Sequence, residues 1–278
     1  MTRYSLQVPG VRTAALHALA GCIMALPVAA QSLGDERPYC ASRPGLGTTP
    51  CTIAPKRVAV ELALADWERD AGEATRSDTM LVGEIAGRFG IGPNTEVSVD
   101  WTPFGETWVA GGGLPTRRGL GTGDLTVATK INLKNPDGNG VSIAVAPYLG
   151  LPVGGTAIGS GQWASGVILP VSYALGGPFS LQATPQFTLE TAGRGGGHHA
   201  SGRIVGGLGI AVSDRVALTE ELSVGRQHDG AATVTQGFAA TSIAYTTANR
   251  FQLDAGAVFG LNDHSPDARF YLGVSHQF

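Results

Sequence analysis

Four histidines fall in predicted loops of the C-terminal third of the chain, and two of them are adjacent to Asp229 and Asp263. Imidazole and carboxylate groups are ligands for transition metals, so neighbouring loops that brought these side chains together would form a metal site. Histidines in such loops are more often solvated than bound to metal. We therefore expect no metal and no cofactor. The residues that would bind a metal if one were present are His198, His199, His228 and His264.

Two further patterns resemble catalytic or nucleotide-binding motifs. Ser275 and His276 would suit a lipase-type nucleophile and base, but adjacent strand residues point to opposite faces, so the pair does not cooperate directly. The run Gly119 to Gly123 precedes Asp124 and a strand pattern, whereas a phosphate-binding loop leads into a helix N-terminus. These contexts predict a protein that is not an enzyme.

Charged side chains alternate with apolar ones along much of the chain, and this pattern predicts a two-faced β-structure. If the apolar face meets lipid, the charged face lines a lumen, where seven acids and three bases would favour cations. The alternative is that Glu84, Arg88, Glu96 and Lys130 pair across strands and fill the interior. The expected lumen-lining residues are Glu61, Glu84, Arg88, Glu96, Asp100, Lys130, Arg203 and Asp254, with Asp124 and Glu190 inside or at the rims.

Composition limits the class of protein that these elements form. The 278 residues include 41 Gly and 16 Pro, only 15% are charged, and 43% are hydrophobic. The glycines lack a three-residue period, which excludes collagen, and no run of 18 apolar residues follows residue 30, which excludes a helical membrane protein. A glycine-rich β protein remains.

The N-terminal thirty residues predict export. Arg3 and Arg12 precede an apolar stretch that ends near Pro27 and Ala30, as in a cleaved secretory signal over 1–30. Lipidation at Cys22 is the alternative to cleavage after Ala30. Cleavage removes two bases and no acid, so the net charge of −3 becomes −5, and nothing in this balance suggests nucleic acid as a partner.

The mature N-terminal segment, residues 31–55, contains Cys40 and Cys51. Two cysteines in an exported chain predict a disulfide, with two free thiols as the alternative. The segment either extends into the periplasm or enters the lumen as a plug.

Residues 56–278 contain twelve alternating segments joined by connections of alternating length. Tight turns such as 92–94 and 176–178 alternate with long loops, notably 103–122, 151–165 and 190–199. An even strand number with short periplasmic turns and long exterior loops is typical of a closed antiparallel transmembrane β-barrel. The alternative is a soluble secreted β-sandwich, but only three lysines are present to solvate its polar face.

Several short motifs occur through the mature chain in order. They are Arg37-Pro38-Tyr39-Cys40, Pro50-Cys51-Thr52, Gly92-Pro93-Asn94, Gly123-Asp124-Leu125, Leu151-Pro152-Val153-Gly154 and Leu272-Gly273-Val274-Ser275. Together they resemble the family named after the MetA pathway of phenol degradation. The C-terminus, with Phe270, Leu272, Val274 and Phe278, resembles the signature that barrel-assembly machinery reads in outer-membrane proteins. The family implies an outer-membrane barrel with a role in the uptake of small, aromatic or hydrophobic compounds.

We therefore expect a barrel in the bacterial outer membrane, surrounded by its lipids, that passes or binds small solutes. A barrel enzyme acting on lipids and a structural or adhesive barrel are the alternatives.

Overall fold

The computed structural model describes residues 37–72, 74–191, 197–228 and 233–278. The predicted signal 1–30, including Cys22 and Ala30, lies outside these residues. The described chain forms sixteen β-strands. Their bounds are β1 Val58–Ala71, β2 Thr75–Val82, β3 Glu84–Gly92, β4 Thr95–Trp101, β5 Phe104–Gly111, β6 Leu114–Gly121, β7 Leu125–Lys134, β8 Val141–Leu151, β9 Ala164–Ile168, β10 Val171–Gly176, β11 Phe179–Thr191, β12 His198–Ala211, β13 Val216–His228, β14 Thr233–Thr246, β15 Phe251–Gly260 and β16 Ala268–Gln277.

All strands belong to one antiparallel sheet, and β16 pairs with β1 to close it. Eight of the strands form four interrupted crossings: β2 with β3, β4 with β5, β6 with β7, and β9 with β10. Gly83 interrupts the first pair at a φ of +74°, which favours glycine, and Pro170 lies in the last break. Counting each such pair once gives twelve crossings, so the predicted twelve-stranded closed barrel is confirmed.

The prediction of a long exterior loop over 103–122 is wrong. The chain there forms the hairpin of β5 and β6, with Gly111, Gly112 and Gly113 at positive φ in the turn. Three consecutive glycines are typical of loops, but glycine also adopts the positive φ that a tight hairpin turn requires. Together with β2, this hairpin extends the wall beyond the interruptions at the exterior end.

The two faces of the barrel differ as the alternation predicts. Large apolar residues point outward and are partly exposed, such as Phe187 at 48% and Leu272 at 46%, whereas the inward Arg88 is only 2% exposed. Near the exterior end, Trp67 stacks on Phe270 with ring centroids 5.8 Å apart, and Phe259 meets Phe270 edge-on. Aromatic rings in this position are typical of the membrane interface.

No helix in the described ranges is long and apolar enough to cross a membrane.

Candidate functional site

Residues 37–57, which we call the inner segment, lie against the inward face of the barrel. Pro50 and the four residues that follow it are buried, although the segment contains no strand. Its chain enters β1 at Val58. Backbone groups outside regular structure need other partners when they are buried, and here the inward side chains of the wall supply them.

Three inward carboxylates accept hydrogen bonds from the backbone of the inner segment. Glu61 accepts the amides of Ser42 and Arg43 at 2.9 and 3.0 Å. Glu96 accepts the amide of Ile53 at 2.7 Å. Hydrogen bonds to an ionised group contribute about 1.5–3 kcal/mol each, so these carboxylates hold the segment in place.

Glu221 on β13 is the third of these carboxylates. It accepts the amides of Leu46 and Gly47 at 2.6 and 2.9 Å. A Cβ on Gly45 would lie 2.8 Å from the same carboxylate, and Gly45 has a φ of +120°. The chain therefore passes the wall here in a conformation that only glycine adopts readily.

Two basic side chains join the carboxylates into a buried network. Arg88 pairs with Glu61 at 2.7 Å and with Glu96 at 2.9 Å. Lys130 pairs with Glu96 at 3.1 Å. Arg88 also donates to the carbonyl of Cys40 at 2.7 Å. Cross-strand pairing was the alternative that the sequence left open for Arg88, Glu96 and Lys130, and the structure brings these three together with Glu61.

A second attachment lies on β15 and β16. Arg43 pairs with Asp254 at 3.0 Å, and Gln252 donates to the carbonyl of Arg43 at 2.8 Å. The Tyr271 hydroxyl accepts the amide of Gly45 at 3.1 Å. Because β16 pairs with β1, this attachment lies next to that of Glu61, and the bonds to the inner segment extend around the wall from β4 through β1 to β13.

A polar cavity of about 450 Å³ opens next to the inner segment, on the exterior side of Glu221. Arg203 lines it and donates to Gln186 at 3.1 Å and to the carbonyl of Leu46 at 3.5 Å. The guanidinium of Arg203 therefore lines the cavity and bonds to both the wall and the inner segment. Its other lining residues include Thr188, Glu190, Ser201, Gln227 and Gln236.

The remaining charged candidates lie apart from this network. Ser98 donates to Asp100 at 3.3 Å. Asp124 accepts hydrogen bonds from the amide of Gly154 at 3.0 Å and from the amide and hydroxyl of Ser160 at 2.7 and 2.8 Å. Burial opposes ionisation of Asp124, but these hydrogen bonds outweigh it and lower its pKa. Asp124 therefore holds the exterior loop 152–163 rather than a solute. Glu84 makes no hydrogen bond or ion pair within the described part of the chain.

The histidines and the Ser275-His276 pair form no recognisable reaction centre among the described residues. No group of three or more metal-ligating side chains occurs there, and Asp229 lies outside them. His228 bonds to Thr233 through Nδ1 at 3.0 Å. The ring of His276 packs on Phe278 at 4.5 Å and on Phe251 at 6.3 Å, on the outer face, whereas Ser275 is buried.

Cys40 and Cys51 lie side by side in the inner segment, with Cα atoms 6.2 Å apart, a separation that a disulfide spans.

Sequence reasoning missed Glu221, Arg43 and Tyr271. Glu220 and Glu221 are adjacent in a stretch whose facing the sequence left uncertain, so only the register with β12 shows which of the two points inward. Arg43 belongs to the Arg43-Pro44 pair that also resembles the family, but it lies outside the alternating region, so the alternation gave no information about its partner.

Comparison with solved structures supports this fold. The crystal structure of a COG4313 outer membrane channel from Pseudomonas putida F1 superimposes with a TM-score of 0.67 at 13% identity, covering 82% of this chain and 97% of the other. The beta domain of the Bordetella autotransporter BrkA gives a TM-score of 0.54 at 11% identity, covering 81% and 100%. No curated protein matches the sequence.

The sequence also matches a family model over residues 41–278, which is almost the entire region predicted to be mature. The closed barrel, its apolar outer face and the structural neighbours agree with that match, so this chain is an outer-membrane β-barrel that belongs to the family described as "Putative MetA-pathway of phenol degradation".

Proposed function

We propose that this barrel mediates the passage of small solutes across the outer membrane, and that the solute binds in the cavity beside the inner segment. The observation that carries the proposal is the position of Arg203, which borders the cavity and also bonds to the inner segment at Leu46. A solute that engages this guanidinium competes with the segment for it. Binding and displacement of the segment are then coupled.

The inner segment acts in this proposal as a plug. Barrels of eight strands are filled by side chains and those of sixteen leave an open channel, so twelve strands leave a narrow lumen that one extended segment obstructs. Four carboxylates of the wall keep the segment in the lumen by accepting its hydrogen bonds: Glu61, Glu96, Glu221 and Asp254. Passage requires that some of these bonds break.

The charge pattern bears on which solutes pass. The sequence predicted a lumen that favours cations, but Glu61 and Glu96 are paired with Arg88 and Lys130, and Asp254 is paired with Arg43. Paired charges produce a weak field at a distance. We infer that cation selectivity is small and that hydrogen-bonding groups at the cavity, with the Tyr148 ring nearby, admit small neutral or aromatic compounds. Tyr148 accepts a hydrogen bond from Gln186 at 3.0 Å, which links it to the cavity wall.

Reconstitution into planar bilayers tests the proposal. We expect discrete conductance steps from the full chain, and larger ones from a variant in which the inner segment is loosened. A deletion strain that carries the loosened variant should likewise take up a labelled series of phenolic compounds faster than a deletion strain that carries the unaltered chain. A barrel with neither conductance nor solute uptake, and with lipid hydrolysis instead, would refute the proposal in favour of an enzyme.

Assembly and maturation complete the proposed role. We infer that residues 1–30 direct export, that Cys40 and Cys51 form a disulfide in the oxidising periplasm, and that the barrel-assembly machinery recognises the C-terminal strand. The Phe278 amide donates to the Val58 carbonyl at 2.8 Å, so the terminal residue takes part in closing the barrel. Surrounding lipids contact the outer face, including Phe270, Leu272 and Val274.

A further inference from the structure

Arginine side chains occur on the outward face of the wall at its exterior end. β1, β2, β5 and β6 lie next to one another there, and their register places Arg69, Asp78, Trp108 and Arg118 directly opposite one another. Opposed residues on neighbouring strands lie about 5 Å apart, so the row runs some 15 Å around the barrel. We call these four residues, with Arg76, the arginine row.

The arginine row lies immediately beyond the aromatic band. The residues two positions closer to the membrane form the row Trp67, Met80, Glu106 and Leu120. Trp67 is the ring that stacks on Phe270 in the exterior band. Two residues along a strand advance about 6.6 Å, so the arginine row lies at the level where lipid headgroups meet water.

The two acids that contact these arginines leave some guanidinium N–H donors without an acceptor. Asp78 accepts from Nε of Arg69 at 2.8 Å and from Nε of Arg76 at 3.1 Å, and Glu106 accepts from Nε and Nη2 of Arg118. Each guanidinium carries five N–H donors. Among the described residues, the terminal nitrogens of Arg69 and Arg76 have no other acceptor within hydrogen-bond distance. Three arginines against two acids also leave the surface with one net positive charge.

Tryptophan rings hold two of these arginines in place. The guanidinium of Arg69 lies 4.9 Å from the ring centroid of Trp67, and that of Arg118 lies 5.9 Å from that of Trp108. A cation held over a ring loses little further conformational entropy when it binds an anion. Their side chains remain exposed, at 41% for Arg69 and 64% for Arg118.

We propose that the arginine row binds the phosphorylated headgroup of an outer-leaflet lipid, with the acyl chains of that lipid along Trp67, Met80 and Leu120 of the row below. Guanidinium groups match phosphate oxygens in geometry and charge. The apolar residues directly beneath distinguish a lipid from a soluble anion. The occupant is therefore a membrane lipid that carries phosphate.

The proposal is tested on full-length protein that has been purified in detergent and delipidated. Lipid is added to this protein, and the bound fraction is measured by native mass spectrometry. The probes are lipid A with both phosphates and the same lipid after enzymatic removal of phosphate. We expect at least tenfold tighter binding of the phosphorylated form. Equal binding of the two forms by the wild-type protein would overturn the proposal, and this comparison needs no variant.

Variants locate the site. In Arg69→Gln/Arg118→Gln we expect the preference for the phosphorylated lipid to fall to less than threefold, with Arg76 still available to Asp78. The matched control is Arg226→Gln, which removes an outward arginine at the exterior end of β13, away from the row. An unchanged preference in the double variant, or an equal loss in the control, places binding elsewhere. Inorganic phosphate at millimolar concentration should not displace the lipid, and its doing so would show a site for the free anion instead.

Discussion

Arg43 and Asp254 form an ion pair at 3.0 Å although 211 residues separate them in the chain. The pair joins the inner segment to β15, and the Asp254 side chain is completely buried while that of Arg43 remains 19% exposed. A buried carboxylate needs a charged or hydrogen-bonding partner, and the inner segment supplies one. The ion pair therefore bonds the inner segment to the wall, and Asp254 would lack its charged partner if the segment were elsewhere.

Replacing Asp254 by Asn should loosen the inner segment. The substitution keeps the shape of the side chain but removes a charge-assisted interaction worth about 1.5–3 kcal/mol, which corresponds to about a 10- to 100-fold larger population of the displaced segment. We expect larger or more frequent conductance steps in planar bilayers. Glu84→Gln is the matched control, because it neutralises another inward acid that does not contact the inner segment. Equal effects of the two variants would show that lumen charge, and not the Arg43 pair, controls conductance.

Glu221 and Glu220 provide a test in which only one of two neighbouring residues of the same type is expected to have an effect. Glu221→Gln weakens the hydrogen bonds from the amides of Leu46 and Gly47, so their hydrogen exchange should accelerate about tenfold or more. Glu220→Gln should leave that exchange unchanged, because Glu220 points outward and bonds to Thr241. Acceleration in both variants, or in neither, would contradict the role assigned to Glu221.

The barrel could be predicted from the sequence because lipid outside and a polar lumen inside impose strict alternation on each crossing. The same rule placed Arg88, Glu96 and Lys130 on one face. The alternation carried no information about the inner segment, whose position depends on bonds such as Arg43 to Asp254 between distant parts of the chain. It was also uncertain at Glu220 and Glu221, where either parity leaves one acid facing outward. The hairpin of β5 and β6 was missed because its glycine turn resembles a loop in composition.

The attachment of loop 152–163 to Asp124 should depend on pH. The pKa of Asp124 in the folded protein is below the ordinary value of 3.8, so its contribution to stability is fully present above that value and is lost as the pH falls through the folded pKa. We expect hydrogen exchange at the amides of Gly154 and Ser160, corrected for the intrinsic pH dependence, to show constant protection from pH 7 to pH 5 and loss of protection below pH 4. Asp124→Asn should show weakened protection already at pH 7. A loss of protection near pH 6 in the wild-type protein would indicate that another group controls the loop.

The packing of the same loop is tested at Gly105. A Cβ there would lie 2.7 Å from Cδ1 of Ile158 and 2.9 Å from Cδ2 of Leu81, so Gly105→Ala should push the loop away from the wall at a cost of about 1–3 kcal/mol. Chymotrypsin cleavage at Trp163 should accelerate accordingly. Adding Ile158→Ala removes the closest atom and should restore much of the protection. If the double variant is cleaved as fast as Gly105→Ala, the contact with Ile158 does not hold the loop.

Glu220 should reduce the stability of the barrel in lipid. Its side chain is exposed on the outer face between Leu218 and Leu222 of the same strand, and the Thr241 hydroxyl donates to it at 2.7 Å. Acidic residues on the lipid face cost less than the about 2–4 kcal/mol measured for Arg or Lys at the midplane, so Glu220→Leu should stabilise the barrel by about 1–2 kcal/mol. Reversible urea unfolding in phospholipid vesicles measures the change, with Leu222→Ala as a control that should destabilise it. A less stable Glu220→Leu barrel would mean that the bond to Thr241 outweighs the cost of facing lipid, and Thr241→Val, which removes the bond alone, would then destabilise the barrel to the same extent.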